Sequence, residues 1–236
     1  MNPSYVFGIL PAGSPVPDDG TEPPAEGLRL VESDGLAALV GAAPERPLGL
    51  AADLLAHDRV LGDVVAAGTP VLPMRFGAVL ADDDSIVRDL LQPDRDRFTE
   101  ELRRIDGHVE YVLSASYERE QVLREIVESN PTIAALRNAN GGFEQQVRLG
   151  ELVVGALSRL REVDADALVS EIAAVVDRRV QEVREPEEVA RVAFLVADRE
   201  RTSFERKVEK AARLRAGRIR LRLVGPTPAY DFVPGG

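Results

Sequence analysis

The sequence has no cysteine and no tryptophan, and only two of its 236 residues are histidine. The missing cysteines exclude disulfides, thiol catalysis, cysteine-ligated zinc and iron–sulfur clusters. The histidines, His57 and His108, are well separated, so we expect no histidine-rich metal site. Every apolar run is shorter than the roughly 20 residues that cross a bilayer, and no signal-peptide pattern opens the chain. These absences predict a cytoplasmic protein without a membrane span.

The common catalytic motifs are also missing. The sequence contains no G-x-x-x-x-G-K-[ST], G-x-G-x-x-G, G-x-S-x-G or H-E-x-x-H. The acidic run Asp82–Asp84 resembles a cation site, but consecutive carboxylates at a helix start are better explained as a cap. We therefore predict no catalytic residue, no cofactor site and no metal site.

The net charge of −11 is unevenly distributed. Residues 199–222 carry ten basic and three acidic side chains, although the chain as a whole is acidic. Phe204 is the only aromatic residue in this stretch, so the stacking platforms of nucleic-acid-binding proteins are absent. We predict no nucleic-acid binding; the basic stretch is either a solvated face or a surface that orients a protein partner.

Hydrophobic periodicity predicts a first α+β domain over residues 1–106. A buried strand covers residues 5–10, a hairpin turns at Asp34-Gly35, and a helix ends at Gly68. The remaining predicted elements are two short strands within 71–80, a helix from the Asp82–Asp84 cap to Leu91, and a helix over 93–105.

Residues 107–225 predict a second α+β domain with the order β-α-β-β-α-β, a modified ferredoxin-like unit. Two apolar stripes predict that the helix starting at Phe143 is covered on two sides, and the breakers of 130–142 predict a mobile loop before it. Residues 226–236 are predicted to be a docked C-terminal tail. The other predicted elements are strand 109–117, helix 118–128, helix 164–177, strands 180–184 and 188–197, a helix through Phe204 and Leu214, and strand 219–224.

Two sets of side chains are candidates for a role beyond ordinary packing. His57 recurs at helical spacing with Leu50, Leu54 and Leu61, which favours a structural histidine that packs on the 74–77 turn over a proton-transfer or ligand role. Arg75 in that turn is expected to pair with a polar group in an apolar setting. In the tail, Tyr230 and Phe232 favour a packed aromatic anchor over a cofactor site.

Three segments resemble the gas vesicle protein F/L family. They are Tyr5-Val6-Phe7-Gly8-Ile9, the His57 helix with its following Val71-Leu72-Pro73-Met74-Arg75-Phe76-Gly77, and the closing Gly225-Pro226-Thr227-Pro228-Ala229-Tyr230-Asp231-Phe232-Val233. The last two form a fairly specific pair at opposite ends of the chain. Thr227 and Ala229 stand where tryptophan and a second proline are typical of the family.

The resemblance implies a vesicle assembly factor or minor structural component, associated with gas vesicles, that acts without catalysis. Its expected partners are the hydrophobic shell protein, which is the major subunit, and other vesicle accessory proteins. A different class stays open, because a ferredoxin-like module also hosts small-molecule binding and enzymatic functions. A deep pocket with convergent polar groups would favour that alternative, and a shallow apolar or charged surface would favour partner binding.

Overall fold

The computed structural model describes residues 3–18, 20, 24–139, 142–172, 177–181 and 187–233. The chain is α+β, as predicted. It divides into two compact units: unit 1 comprises residues 1–111, 195–198 and 225–236, and unit 2 comprises residues 112–194 and 199–224.

Unit 1 contains a five-stranded antiparallel sheet around one central strand. The order is β2-β3-β1-β4, and β5 also pairs with β1. The predicted hairpin is confirmed: Asp34 and Gly35 both have positive φ angles, 47° and 87°, which the tight turn requires. The strands are β1 Ser4–Pro11, β2 Arg29–Ser33, β3 Leu36–Ala42, β4 Leu72–Pro73 and β5 Val79–Leu80.

Helix α1, Ala51–Ala66, is the first helix of unit 1. Its start is held by Asp53, whose carboxylate accepts the backbone N–H groups of Gly49 and Leu50 and two bonds from Arg46. These donors hold the pKa of Asp53 well below its usual range. The predicted face is partly wrong, because Leu50 and Leu54 are exposed. The buried side chains of α1 are Asp53, His57, Val60, Leu61 and Val64.

Three further helical segments of unit 1 follow the predicted cap. The Asp82 side chain accepts the N–H of Ser85, which begins the three-residue α2, Asp83–Ser85. The chain continues as a π-helix, Ile86–Leu91, and then as α3, Arg95–Ile105. Asp83 pairs with Arg29 at 2.8 Å, so this acidic run serves capping and ion pairing.

A four-stranded sheet with the order β7-β8-β6-β9 has most of its residues in unit 2. The elements of unit 2 follow in the predicted order of strand, helices, two strands, helix and strand. The ferredoxin-like classification and the domain boundaries of the sequence analysis stay predictions. The strands are β6 His108–Tyr117, β7 Asp177–Gln181, β8 Glu188–Ala197 and β9 Ile219–Thr227.

The helices of unit 2 correct two expectations. Residues 131–138, predicted as part of a mobile loop, form a helix because Asn130 caps the N–H groups of Thr132 and Ile133 and Pro131 occupies the first helical position. The two predicted helices after Phe143 are one continuous helix of 30 residues. The helices are α4 Arg119–Ser129, α5 Pro131–Asn138, α6 Phe143–Ile172 and α7 Arg201–Leu214.

Some expectations fall outside the described residues. They concern residues 173–176 of the predicted helix 164–177, residues 182–184 of the predicted strand 180–184, residues 140–141 of the breaker and the last tail residues, 234–236. Asp177 itself, expected to end a helix, begins strand β7.

Candidate functional site

His57 lies in an aromatic cluster of unit 1. Its Nδ1 is 2.8 Å from the Tyr5 hydroxyl, and its ring stacks on Phe7 with 5.5 Å between centroids. Phe76 from the 74–77 turn meets the imidazole edge-on at 5.9 Å. The Tyr5 hydroxyl also accepts the N–H of Gly77 at 3.2 Å, which ties this turn to β1. The first motif segment, the α1 histidine and the 74–77 turn therefore meet at one place.

Burial controls the electrostatics of this cluster. It lowers the pKa of His57, and the nearby Asp58 opposes this to a smaller extent. Burial also raises the pKa of Tyr5. A neutral imidazole and a neutral phenol are the result at neutral pH, which suits a fixed packing contact. The expectation for Arg75 is wrong in one respect, because this side chain is exposed instead of lying in an apolar setting.

The C-terminal motif is packed within unit 1. A Cβ at Gly225 would lie 2.7 Å from the Glu110 carbonyl oxygen, and its φ of 139° also favours glycine. Arg104 donates to the Phe232 carbonyl at 2.6 Å, and Glu110 accepts the Asp231 N–H at 2.8 Å. Pro228, Ala229 and Phe232 are buried, Tyr230 packs on the core, and Pro226, which follows a cis peptide bond, is exposed.

A small cavity lies beside the motif residues. A cavity of about 20 Å³ in unit 1 is lined by Val71 of the motif strand and by Pro228 and Ala229 of the tail. This volume is close to that of a single water molecule. The described contacts of the motif segments are packing contacts and hydrogen bonds within unit 1.

The N-terminal half of α6 presents an apolar face to solvent in unit 2. Phe143 is 81% exposed, Val154 64% and Val147 45%. At 100° per residue these side chains lie on one stripe of the helix together with Gly150. We call Phe143, Val147, Gly150 and Val154 the α6 stripe. The prediction that this helix is covered on two sides is wrong for the stripe, because no described residue buries it.

A shallow groove lies beside this stripe, where α4, α5 and α6 meet. Its volume is about 430 Å³, and Ile133 at its base is fully buried. We call it the α4–α6 groove. It is lined by Glu120, Leu123, Arg124, Val127, Ile133, Arg137, Leu149 and Val153.

A polar network holds the C-terminal half of α6 in unit 2. Asp164 accepts a hydrogen bond from the Tyr117 hydroxyl at 2.7 Å and another from Arg218 Nη2 at 2.8 Å. Arg218 also donates through Nε to Glu125 of α4 at 2.7 Å. The two carboxylates raise the pKa of Arg218, and burial, together with Asp164, raises the pKa of Tyr117. Leu168 and Ile172 complete the attachment by burying their side chains.

The basic stretch of residues 199–222 contains side chains with different roles. Arg218 belongs to the network, and Arg220 pairs with Glu118 at 2.9 Å. Arg222 is exposed and forms no ion pair with any residue in the described ranges. Phe204 is buried against Phe194, with ring centroids 5.3 Å apart. The stretch is therefore not one uniform cationic surface, because Arg218 belongs to the fold and Arg220 is paired with a carboxylate.

Comparison with known proteins decides the family. The model of the gas vesicle synthesis protein GvpL/GvpF family matches residues 3–234. The chain belongs to this family. It is 34% identical to gas vesicle protein F of Streptomyces sp. (strain CB03234), over 98% of this chain and 99% of the relative. Gas vesicle protein L of the same strain is 31% identical, over 95% and 88%.

Solved structures agree at the level of the fold. The crystal structure of GvpF from Anabaena sp. PCC7120 superposes with a TM-score of 0.86, covers 99% of both chains and shares 23% identity. Family membership gives this chain a gas vesicle-related role. Among the helices in the described ranges, none has the length and apolar composition that a bilayer crossing needs.

Proposed function

We propose that this member of the GvpL/GvpF family binds the hydrophobic gas vesicle shell protein and other vesicle proteins, as an assembly factor or minor structural component. The observation that carries the proposal is the exposed α6 stripe, where Phe143, Val147 and Val154 are open to solvent beside a shallow groove. Contiguous exposed apolar surface of this kind is typical of protein interaction sites.

The physical argument concerns the shell subunit before assembly. A protein that coats a gas–liquid interface must present a large apolar surface, and such a surface aggregates in water unless it is covered. Covering it with the α6 stripe removes apolar area from water on both partners, at roughly 25 cal/mol per Å². The chain would act by transient, chaperone-like capture, without chemistry at the bound subunit.

The shape of the surface supports binding of a protein over binding of a small molecule. Small-molecule sites enclose most of their ligand and bring several polar groups together. The α4–α6 groove is open, and its floor is made of aliphatic side chains such as Leu149 and Val153. We therefore favour partner binding over the alternative of a small-molecule or enzymatic module.

A capture experiment with the purified full chain and the shell protein tests the proposal. A variant combining Phe143→Ser, Val147→Ser and Val154→Ser should lose most of the capture. The matched control is Leu214→Ser, since Leu214 on α7 is 68% exposed and lies outside the stripe. Equal capture by both variants would overturn the assignment of the stripe.

The salt dependence separates apolar from electrostatic binding. Burial of apolar surface is not screened, whereas exposed ion pairs weaken beyond a Debye length of about 8 Å at physiological ionic strength. Capture should survive high salt and should survive a variant with Arg220→Ala and Arg222→Ala. Loss of capture under both conditions would show that charge supplies the affinity, and no capture by the wild-type chain would contradict the proposed function.

A further inference from the structure

We propose that the α4–α6 groove binds an acidic amphipathic helix of a protein partner. The proposal rests on the proposed function only in requiring that the partner is a protein. The proposal adds three points: the surface that binds a segment of the partner, the secondary structure of that segment, and the sign of the segment's charge.

The shape of the groove fits a helix. Five of its eight lining residues are aliphatic, with Leu123 and Val127 one turn apart on α4 and Leu149 and Val153 one turn apart on α6. An amphipathic helix offers apolar side chains with the same spacing, at i, i+3, i+4 and i+7. Ile133 of α5 closes the base, so an inserted side chain would meet apolar atoms from three helices.

The charges at the groove determine the sign of the partner. Arg124 and Arg137 line it and are exposed, and neither forms an ion pair with a carboxylate among the described residues. Arg124 makes one hydrogen bond, to the amide oxygen of Gln121. The acidic side chain in the lining is Glu120, so the groove has an excess of positive charge although the whole chain carries −11.

This excess favours acidic residues beside the apolar face of an incoming helix. Aspartate or glutamate there would form charge-assisted hydrogen bonds with the two guanidinium groups. Lysine or arginine at the same places would face Arg124 and Arg137 and would be repelled. Because the apolar face is common to both kinds of helix, charge supplies the discrimination and the aliphatic floor supplies part of the affinity.

The test uses fluorescence anisotropy with the full chain and labelled synthetic peptides of about 18 residues, long enough to form helix readily. The first peptide has leucines at helical spacing flanked by glutamate. The second keeps the leucines and replaces every glutamate by lysine, and the third scrambles the first so that no apolar face forms. We expect the glutamate peptide to bind at least about tenfold more tightly than either of the others at low salt.

Charge reversal at the groove provides the second arm. Arg124→Glu with Arg137→Glu should weaken binding of the glutamate peptide and strengthen binding of the lysine peptide. Arg206→Glu on α7 is the matched control, because Arg206 is exposed and does not line the groove, and it should leave both affinities nearly unchanged. The substituted side chains are exposed, so we expect all variants to keep the wild-type circular dichroism spectrum.

The proposal would be overturned by equal binding of the glutamate and lysine peptides, by tight binding of the scrambled peptide, or by unchanged binding after charge reversal at Arg124 and Arg137. Failure of the glutamate peptide to bind, while the shell protein is still captured through the α6 stripe, would also overturn it and leave the proposed function standing. Loss of both peptide binding and shell-protein capture would count against this proposal and against the proposed function.

Discussion

The Tyr5 hydroxyl lies 2.8 Å from Nδ1 of His57, and 52 residues separate the two along the chain. Both side chains are buried, so either substitution leaves a polar group without its partner. We expect Tyr5→Phe to lower the free energy of unfolding by about 1–3 kcal/mol. His57→Ala also opens a cavity and should cost more, about 2–4 kcal/mol. Urea unfolding followed by circular dichroism measures both changes.

The control for these substitutions is His108→Ala. His108 is exposed and contacts the Asp106 carbonyl, so its loss should change stability by less than about 0.5 kcal/mol. If His57→Ala left stability unchanged but abolished capture of the shell protein, His57 would be a binding residue and the structural role would be wrong.

The burial of His57 also predicts how stability depends on pH. Its folded-state pKa is lowered below the ordinary value of 6.5, so the unfolded chain binds more protons than the folded chain between the two values. The free energy of unfolding should therefore fall as the pH drops below about 6.5. The contribution of His57 to this fall should end once the pH is below its folded-state pKa.

A variant isolates the contribution of His57 to this pH dependence. His57→Gln should flatten the fall in the free energy of unfolding as the pH drops below about 6.5. An unchanged slope in His57→Gln would mean that other groups cause the loss of stability in acid.

The packing of the tail in unit 1 leads to a third prediction. Phe232 is 1% exposed, and its carbonyl accepts a hydrogen bond from Arg104. Phe232→Ala should lower the free energy of unfolding by about 3–5 kcal/mol. Removal of residues 226–236 should lower the melting temperature further. Val224→Ala, at a 44% exposed position, is the control and should have a small effect; a truncated chain with wild-type melting temperature would contradict the docked tail.

Arg218 gives a fourth prediction, which distinguishes structural from surface cations. Its side chain is 28% exposed, and its loss would leave Asp164 and Glu125 without their shared cation. Because the network is partly solvated, we expect Arg218→Ala to cost about 1–3 kcal/mol, less than for a fully buried pair. Arg222→Ala should cost less than about 0.5 kcal/mol. Thermal melts of the two variants make the comparison, and equal melting temperatures would contradict the structural role of Arg218.

The sequence predicts the order of most elements because apolar periodicity distinguishes helices from strands and shows which face of each is apolar. It does not report what covers that face. The positions of Phe143, Val147 and Val154 predict a helix correctly, but the prediction of cover on that side is wrong because no described residue packs there. An apolar stripe in the sequence therefore does not show by itself that another element covers it.

A local signal with two meanings causes another error. Asn130-Pro131 predicts a break after α4, yet the same pair is an N-cap with a proline at the first helical position, and it begins α5. Local sequence patterns do not predict the hydrogen-bond partner of His57. This partner, Tyr5, is 52 residues away in sequence and contacts His57 only in the folded unit 1. The family resemblance identifies the segments that meet there but not their contacts.

The tail has a consequence for synthesis on the ribosome. Unit 1 places Tyr230 within 3.4 Å of Asp58, across 172 positions of the chain, and Asp231 beside Glu110, across 121. Domains generally fold as units while the chain emerges from the N-terminus. Unit 1 cannot close in that way, since Tyr230 and Phe232 follow the residues of unit 2 in the sequence. Until they have emerged, the core against which Tyr230 packs stays partly uncovered, so the nascent chain itself exposes apolar surface.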